Sequence, residues 1–212
     1  MVIKVDHVSY SCTTDEEYRH ILTDGYRLSF KEKNLINAPC KKDLLLHGAV
    51  AHDIIFYNSL HGDIPLEITM YPHTQKADDE YMAISSKEVI FYVRDLYRSI
   101  QFFRCFGMVI DSQSDDEALL QIISALDKSC FYLKLIKTKQ DISKRYLDCT
   151  GYSSLALFVD NTIKISQKVA KAGFKATEVS SIEANKRKLL VSFAIGPNGE
   201  IVELISLDRG GR

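Results

Sequence analysis

Glu203 is the residue whose chemistry most constrains the fold of this chain. It lies in the middle of an apolar run, residues 200–207, with the sequence Glu-Ile-Val-Glu-Leu-Ile-Ser-Leu. A carboxylate that is buried alone loses its hydration at a large cost in free energy, so it needs a cation, a metal ion or water beside it. The fold is therefore expected to place one of these next to Glu203.

The histidines are the other residues that suggest metal chemistry. All six lie between His7 and His73, so a histidine-ligated metal must involve the first third of the chain. His52 alternates with Ile54 and Phe56 in an apolar run, and a strand would turn these side chains to the same face. His52 is therefore a candidate for an inward-facing ligand.

The strand that carries Glu203 is predicted to be half of a hairpin. Apolar runs at residues 189–195 and 200–207 are joined by Gly-Pro-Asn-Gly, and Asn-Gly between such runs is a strong hairpin signal. A longer pattern occurs three times: an apolar strand, an aspartate, an amphipathic helix, and a glycine that starts a new strand. The aspartates are Asp15, Asp95 and Asp160, and the glycines are Gly25, Gly107 and Gly173. Further strand-like runs follow each helix, so the repeating unit is strand–helix–strand–strand–strand.

The hairpin and the threefold repeat resemble the vicinal oxygen chelate superfamily, which includes glyoxalases, bleomycin-resistance proteins and ring-cleaving dioxygenases. The resemblance implies an α+β fold of three βαβββ modules. It divides the chain into a single module (residues 1–72), a linker (73–85) and a two-module domain (86–208). In that domain, the last two modules are expected to form a cupped β-sheet with the helices outside. The odd first module needs a partner for its sheet edge, either its counterpart in a homodimer or the C-terminal domain.

The resemblance also indicates where a metal would be bound, because family members ligate it from the first and last strands of each module. In the C-terminal cup these positions fall on Glu88, Lys134, Ser154 and Glu203. A charged lysine has no lone pair and cannot ligate a metal. We therefore predict a C-terminal cup with no metal cofactor, in which Lys134 lies between Glu88 and Glu203 as their counter-charge.

The same cup is expected to have apolar and aromatic walls. Strand alternation and the family's cup positions together predict five ligand-binding residues, namely Tyr92, Tyr132, Lys134, Ser154 and Phe158. Such a lining is typical of a small-molecule pocket. A small barrel filled by its own side chains has the same pattern, so both interpretations stay open at this stage.

In the first module, the positions implied by the resemblance hold competent metal ligands. Val5-Asp6-His7-Val8 resembles the metal-binding first strand and Pro65-Leu66-Glu67-Ile68 the last strand. With His52, the residues His7 and Glu67 would give two histidines and a carboxylate, a set that holds Fe, Mn, Ni or Zn as divalent ions. Against this, a lone histidine at the start of a strand is more often a hydrogen-bonded structural residue.

Two classes of function follow from the resemblance. The first is a binding protein of the bleomycin-resistance kind, which holds a small molecule in its cup without a metal. The second is a metal-dependent lyase, isomerase or dioxygenase that uses His7 and Glu67 as ligands and an inward glutamate, Glu203 or Glu88, as the catalytic base. An interaction subunit with a filled barrel is a third alternative, with no distinctive feature in its favour.

Composition excludes other classes. The net charge is −1, so no field attracts nucleic acid or an anionic membrane. No apolar run is long enough to span a membrane. Five cysteines without a Cys-x-x-Cys pair favour free thiols and a cytoplasmic location.

Overall fold

The computed structural model describes residues 1–22, 24–48, 50–76, 81–85, 87–140 and 145–210. Its elements follow the threefold repeat, so the predicted α+β fold of βαβββ modules is confirmed. The first module contains β1 (Val2–Cys12), α1 (Asp15–Arg19), β2 (Tyr26–Ile36), a 3-10 helix (Pro39–Leu44), β3 (Ala51–Ser59) and β4 (Leu66–Met70). Two short strands follow, β5 (Gln75–Lys76) and β6 (Met82–Ser85).

The second module repeats this order, and the third does so with one additional short strand. The second module contains β7 (Glu88–Val93), α2 (Leu96–Arg104), β8 (Val109–Gln113), β9 (Glu117–Ile123) and β10 (Cys130–Lys137). The third contains β11 (Cys149–Val159), α3 (Thr162–Lys171), β12 (Lys175–Ala176), β13 (Ser180–Ala184), β14 (Arg187–Ile195) and β15 (Ile201–Leu207). None of the helices in the described ranges has both the length and the apolar character needed to cross a membrane.

The pairing of the modules differs from the prediction. The first and third modules share one sheet, because β1 pairs antiparallel with β11, and each of these strands also pairs in parallel with the last strand of its own module. The second module forms a separate sheet with the strand order β6-β7-β10-β9-β8. The expectation that the last two modules form the cup is therefore wrong. The odd module finds its partner within the chain, which was the alternative to pairing in a dimer.

The reason for this pairing lies in the segment that was predicted to be a linker. A strand has two edges, and β7 uses one of them to pair with β10. The other edge is occupied by β6, which runs antiparallel to it from Met82 opposite Phe91 to Ser85 opposite Glu88. No edge of β7 is left for β11, so β11 pairs with β1 instead.

The two sheets are held together by one hydrophobic core. Aromatic rings of α2 are central to it: Phe102 and Phe103 are fully buried, and their ring centroids lie 5.1 Å apart. Phe103 also contacts Phe91 of the second sheet at 5.4 Å, and Phe102 contacts Phe174 of the third module at 5.3 Å. Helix α2 therefore packs against both parts of the molecule.

The predicted hairpin of β14 and β15 is confirmed, and its turn contacts the start of α2. The strands close with Ile195 opposite Ile201. In the turn, the side-chain oxygen of Asn198 accepts hydrogen bonds from the backbone N–H groups of Arg94 and Asp95, at 2.9 and 3.0 Å. The buried carboxylate of Glu200 accepts hydrogen bonds from Ser99 of α2 and from the backbone N–H of Asn198.

We expect Glu200→Ala to lower the free energy of unfolding by about 2–3 kcal/mol, because it leaves buried donors without their charged acceptor. Denaturant unfolding measures the change. Glu178→Ala is the matched control, since Glu178 is exposed. Equal stability of the two variants would show that the turn does not contribute to the contact between the two sheets.

Candidate metal and ligand site

The sheet that the first and third modules share through β1 and β11, called the joined sheet below, brings together ligands from both modules. His7 is on β1, Glu67 on β4 and Glu203 on β15, and one ligand atom from each lies within 4.8 Å of the others. His7 Nε2 is 3.5 Å from Glu67 Oε2 and 3.7 Å from Glu203 Oε2. The register explains this approach, because Ala156 of β11 lies opposite both His7 and Glu203. Its small side chain leaves room for the two longer ones to meet.

The imidazole of His7 is oriented by its neighbour in the chain. The register of β1 shifts between Val5 and His7, and Asp6 Oδ2 lies 3.1 Å from His7 Nδ1. Lys4 Nζ pairs with the other oxygen of Asp6 at 2.7 Å. A carboxylate on one ring nitrogen fixes the tautomer that turns the second nitrogen toward a metal.

The second nitrogen of His7 is buried, and no hydrogen bond reaches it from the described part of the chain. Burial disfavours a charged ring, but the carboxylates of Glu67, Asp6 and Glu203 overcome this effect and raise the pKa of His7 to about 10. The pKa of Glu203 is lowered in spite of burial, because His7 and Lys41 lie beside it. The carboxylates around His7 therefore favour a positive charge at its Nε2 atom.

Lys41 supplies a cation to this group from the 3-10 helix. Its half-buried side chain lies over the ring of Phe193, with Nζ 5.6 Å from the ring centroid. Burial opposes its charge, yet Glu203, Tyr71 and Glu67 raise the pKa of Lys41 above its usual value. Lys41 therefore remains a charged ammonium group beside the two glutamates.

Hydrogen bonds attach the segment that carries Lys41 to the third module. The N–H of Cys40 donates to Ser180 Oγ at 3.2 Å, and the N–H of Leu147 donates to the carbonyl of Leu44 at 2.7 Å. The fully buried carboxylate of Asp148 accepts from the N–H groups of Leu46 and His47, at 2.7 and 2.8 Å. The loop of the first module is thereby held across the site.

A cavity of about 190 Å³ adjoins the ligand group and Lys41. Its walls are largely apolar and include Phe30, Phe56 and Phe158. The rings of Phe30 and Phe56 are stacked, with centroids 5.2 Å apart. A smaller polar pocket, which Ser154 lines, lies against the same two glutamates. An apolar cavity with a few convergent polar groups is the usual composition of a small-molecule site.

The structure brings only some of the predicted site residues together. Of the predicted ligand-binding residues, Phe158 and Ser154 line the cavities around the ligand group. His52 is not in the ligand group. Its ring stacks on Tyr71, its Nδ1 lies 3.3 Å from the carbonyl of Val50, and burial and Lys41 lower its pKa to about 4.

The predicted cluster of Glu88, Lys134 and Glu203 does not form. Glu88 and Lys134 lie on β7 and β10 of the second sheet, whereas Glu203 lies in the joined sheet. Lys134 Nζ instead pairs with Glu117 Oε2 at 2.8 Å. The prediction that Lys134 is the counter-charge of Glu203 is wrong, because it assumed the wrong pair of modules.

The other residues predicted with that cluster are also outside the ligand group. Tyr92 is on β7 of the second sheet. Tyr132 is on β10 and lines a separate cavity of about 580 Å³ together with Lys4 and Lys87. Neither tyrosine lines the cavity beside His7.

Several solved structures resemble this fold. No protein-family model matches the sequence, and no curated protein does. Among solved structures, glyoxalase I from Zea mays has a TM-score of 0.42 at 16% identity, over 95% of this chain and 67% of that one. A glyoxalase/bleomycin resistance protein/dioxygenase from Alicyclobacillus acidocaldarius has a TM-score of 0.46 at 12% identity, over 57% of this chain and 89% of that one.

A third similar structure is the fosfomycin resistance protein FosX from Mesorhizobium loti. Its TM-score is 0.41 at 15% identity, over 58% of this chain and 91% of that one. All three are vicinal oxygen chelate proteins, the superfamily that the sequence resembles.

Proposed function

We propose that the chain binds a divalent metal ion through His7, Glu67 and Glu203 and binds a small molecule in the adjoining cavity. The observation that carries the proposal is the buried Nε2 of His7, which has no hydrogen bond within the described ranges and lies less than 4 Å from a carboxylate oxygen of each glutamate. One imidazole and two carboxylates are a donor set that suits Fe, Mn, Ni, Co or Zn as divalent ions. Three protein ligands leave positions for oxygens of a substrate.

This arrangement supports the metal-dependent class of function that the sequence left as an alternative. A bound divalent ion supplies Lewis-acid polarisation of a substrate's oxygens, as a lyase, an isomerase or a dioxygenase requires. The chain itself contributes the orientation of His7 by Asp6 and a cavity with aromatic walls. In this proposal Glu203 is a metal ligand and not the catalytic base, and Glu88 has no part in the site.

Metal analysis tests the proposal directly. Protein purified without a histidine tag, treated with EDTA and then titrated with Co²⁺ or Ni²⁺, should bind one ion per chain. At a free concentration about 1,000 times the dissociation constant, binding should stabilise the fold by about 4 kcal/mol and raise the melting temperature. An apo protein that takes up no divalent ion, with no change in melting temperature, would contradict the proposal.

One feature favours the metal-free alternative. Lys41 places a positive charge near Glu67 and Glu203 in the absence of a metal ion, which is the role that was predicted for Lys134. In that case the cavity would sequester a small molecule, in the manner of a bleomycin-resistance protein, and the titration above would give no binding of metal.

A further inference from the structure

We propose that Lys41 selects an anionic ligand, a small apolar or aromatic acid. The inference rests on the proposed metal site and adds to it the class of molecule that the cavity accepts. The supporting observation is that the side chain of Lys41 lines both the apolar cavity and the small polar pocket, as Glu67 and Glu203 also do.

The charges around the site lead to this conclusion. A divalent ion would be balanced by Glu67 and Glu203, with His7 neutral as a ligand. Asp6 is already paired with Lys4. Lys41 then leaves one positive charge in excess, and an unpaired charge in a partly buried site is costly. A ligand with one negative charge removes this imbalance, whereas a neutral ligand does not.

The hydrogen bonds of the segment that carries Lys41 hold this residue in a fixed position at the site. Its segment crosses from the first module and is fixed to the third by hydrogen bonds to Ser180, Leu147 and Asp148. The next residue, Lys42, is on the same 3-10 helix but is exposed. Only the first of the two lysines lines the cavity.

The cavity sets the size and the character of the rest of the ligand. Its volume of about 190 Å³ is below the range of roughly 300–1,000 Å³ that is typical of drug-sized ligands. The stacked rings of Phe30 and Phe56, with Phe158, favour a flat or apolar body. Arg187 lines the same cavity but is exposed, so solvent screens its charge and the charge in excess at the buried end is that of Lys41.

Mandelate and mandelamide are suitable probes. Both carry a hydroxyl group and a second oxygen on neighbouring carbons beside a phenyl ring, but only mandelate is an anion. Binding of each is measured by calorimetry on Co²⁺-loaded protein, together with the change in the Co²⁺ absorption spectrum. The variants are Lys41→Met, which keeps most of the side-chain volume, and Lys42→Met as the matched control.

We expect the wild-type protein and Lys42→Met to prefer mandelate by about tenfold or more, as a charge-assisted hydrogen bond would give. Lys41→Met should bind Co²⁺ at least as tightly as the wild type does but lose the preference. If Co²⁺ binds but the wild type shows no preference, including no binding of either probe, the inference fails and the metal site stands. A preference that survives in Lys41→Met overturns the role of Lys41. If the wild type binds no Co²⁺, the proposed function fails and the inference fails with it.

Discussion

His7→Ala should weaken the binding of Co²⁺ at least about 100-fold, because it removes the nitrogen ligand on which the carboxylates converge. Glu203→Gln should have an effect of similar size. It keeps the shape of the side chain and removes the negative charge that the third module contributes. Calorimetric titration of the apo proteins measures both changes, and circular dichroism checks that each variant is folded.

The control for this prediction is His61→Ala. His61 is exposed and is not in the ligand group, so its removal should leave the affinity unchanged. His52→Ala should behave like this control, because His52 stacks on Tyr71 away from the ligands. If Glu203→Gln bound Co²⁺ as tightly as the wild type does, the metal site would be confined to the first module. The proposal that the first and third modules share it would then be wrong.

The affinity for Co²⁺ should rise by about tenfold for each pH unit between pH 6.5 and 8.5, which is about 100-fold over the range. The reason is that the carboxylates around His7 raise its pKa to about 10 in the metal-free protein. The ring is therefore protonated throughout this range, whereas a metal ligand must be neutral. Each binding event then expels one proton, so a higher pH favours binding.

Calorimetry in buffers of different ionisation enthalpy counts the protons released. The expected value is close to one per ion at both ends of the range. A histidine with its ordinary pKa of about 6.5 would instead give an affinity that levels off above about pH 7. Such a plateau would contradict the charge arrangement around His7.

Much of the fold was predictable because local signals and the global fold agree. The Asn-Gly turn closes the hairpin of β14 and β15, and Gly107 and Gly173 have the positive φ angles, 89° and 81°, that end a helix. Asp95, one of the repeated aspartates, caps α2 by accepting a hydrogen bond from the N–H of Arg98. At α3 the cap is Asn161, and the adjacent Asp160 binds the N-terminal amine of Met1.

The pairing of the modules was not predictable from the same signals. The first strands β1, β7 and β11 all begin a module of the same type, so periodicity gives no preference among the three pairings. The choice depends on β6, a four-residue strand that occupies an edge of β7 and lies in a polar segment expected to be a linker. Short edge strands are decided by tertiary contacts and not by the local sequence.

The candidate site was predictable only in part, because its assembly depends on the pairing of the modules. His7 and Glu67 lie at positions of the motif, and Glu203 was marked by its charge within an apolar run. Their meeting depends on the pairing of β1 with β11. Lys41 lies in a single short 3-10 helix between two strands, and so short a segment has no periodicity that indicates which way a side chain points. The role of Asp6 depends on the shift in register next to His7, which has no signal in the sequence.

Diffraction from crystals grown with Co²⁺, measured on both sides of the cobalt absorption edge, tests the central claim that two modules share one metal site. The expected result is a single strong anomalous peak bounded by His7, Glu67 and Glu203. A peak beside Glu88 and Glu117 in the second sheet, or no peak beside His7 at saturating Co²⁺, would contradict the claim.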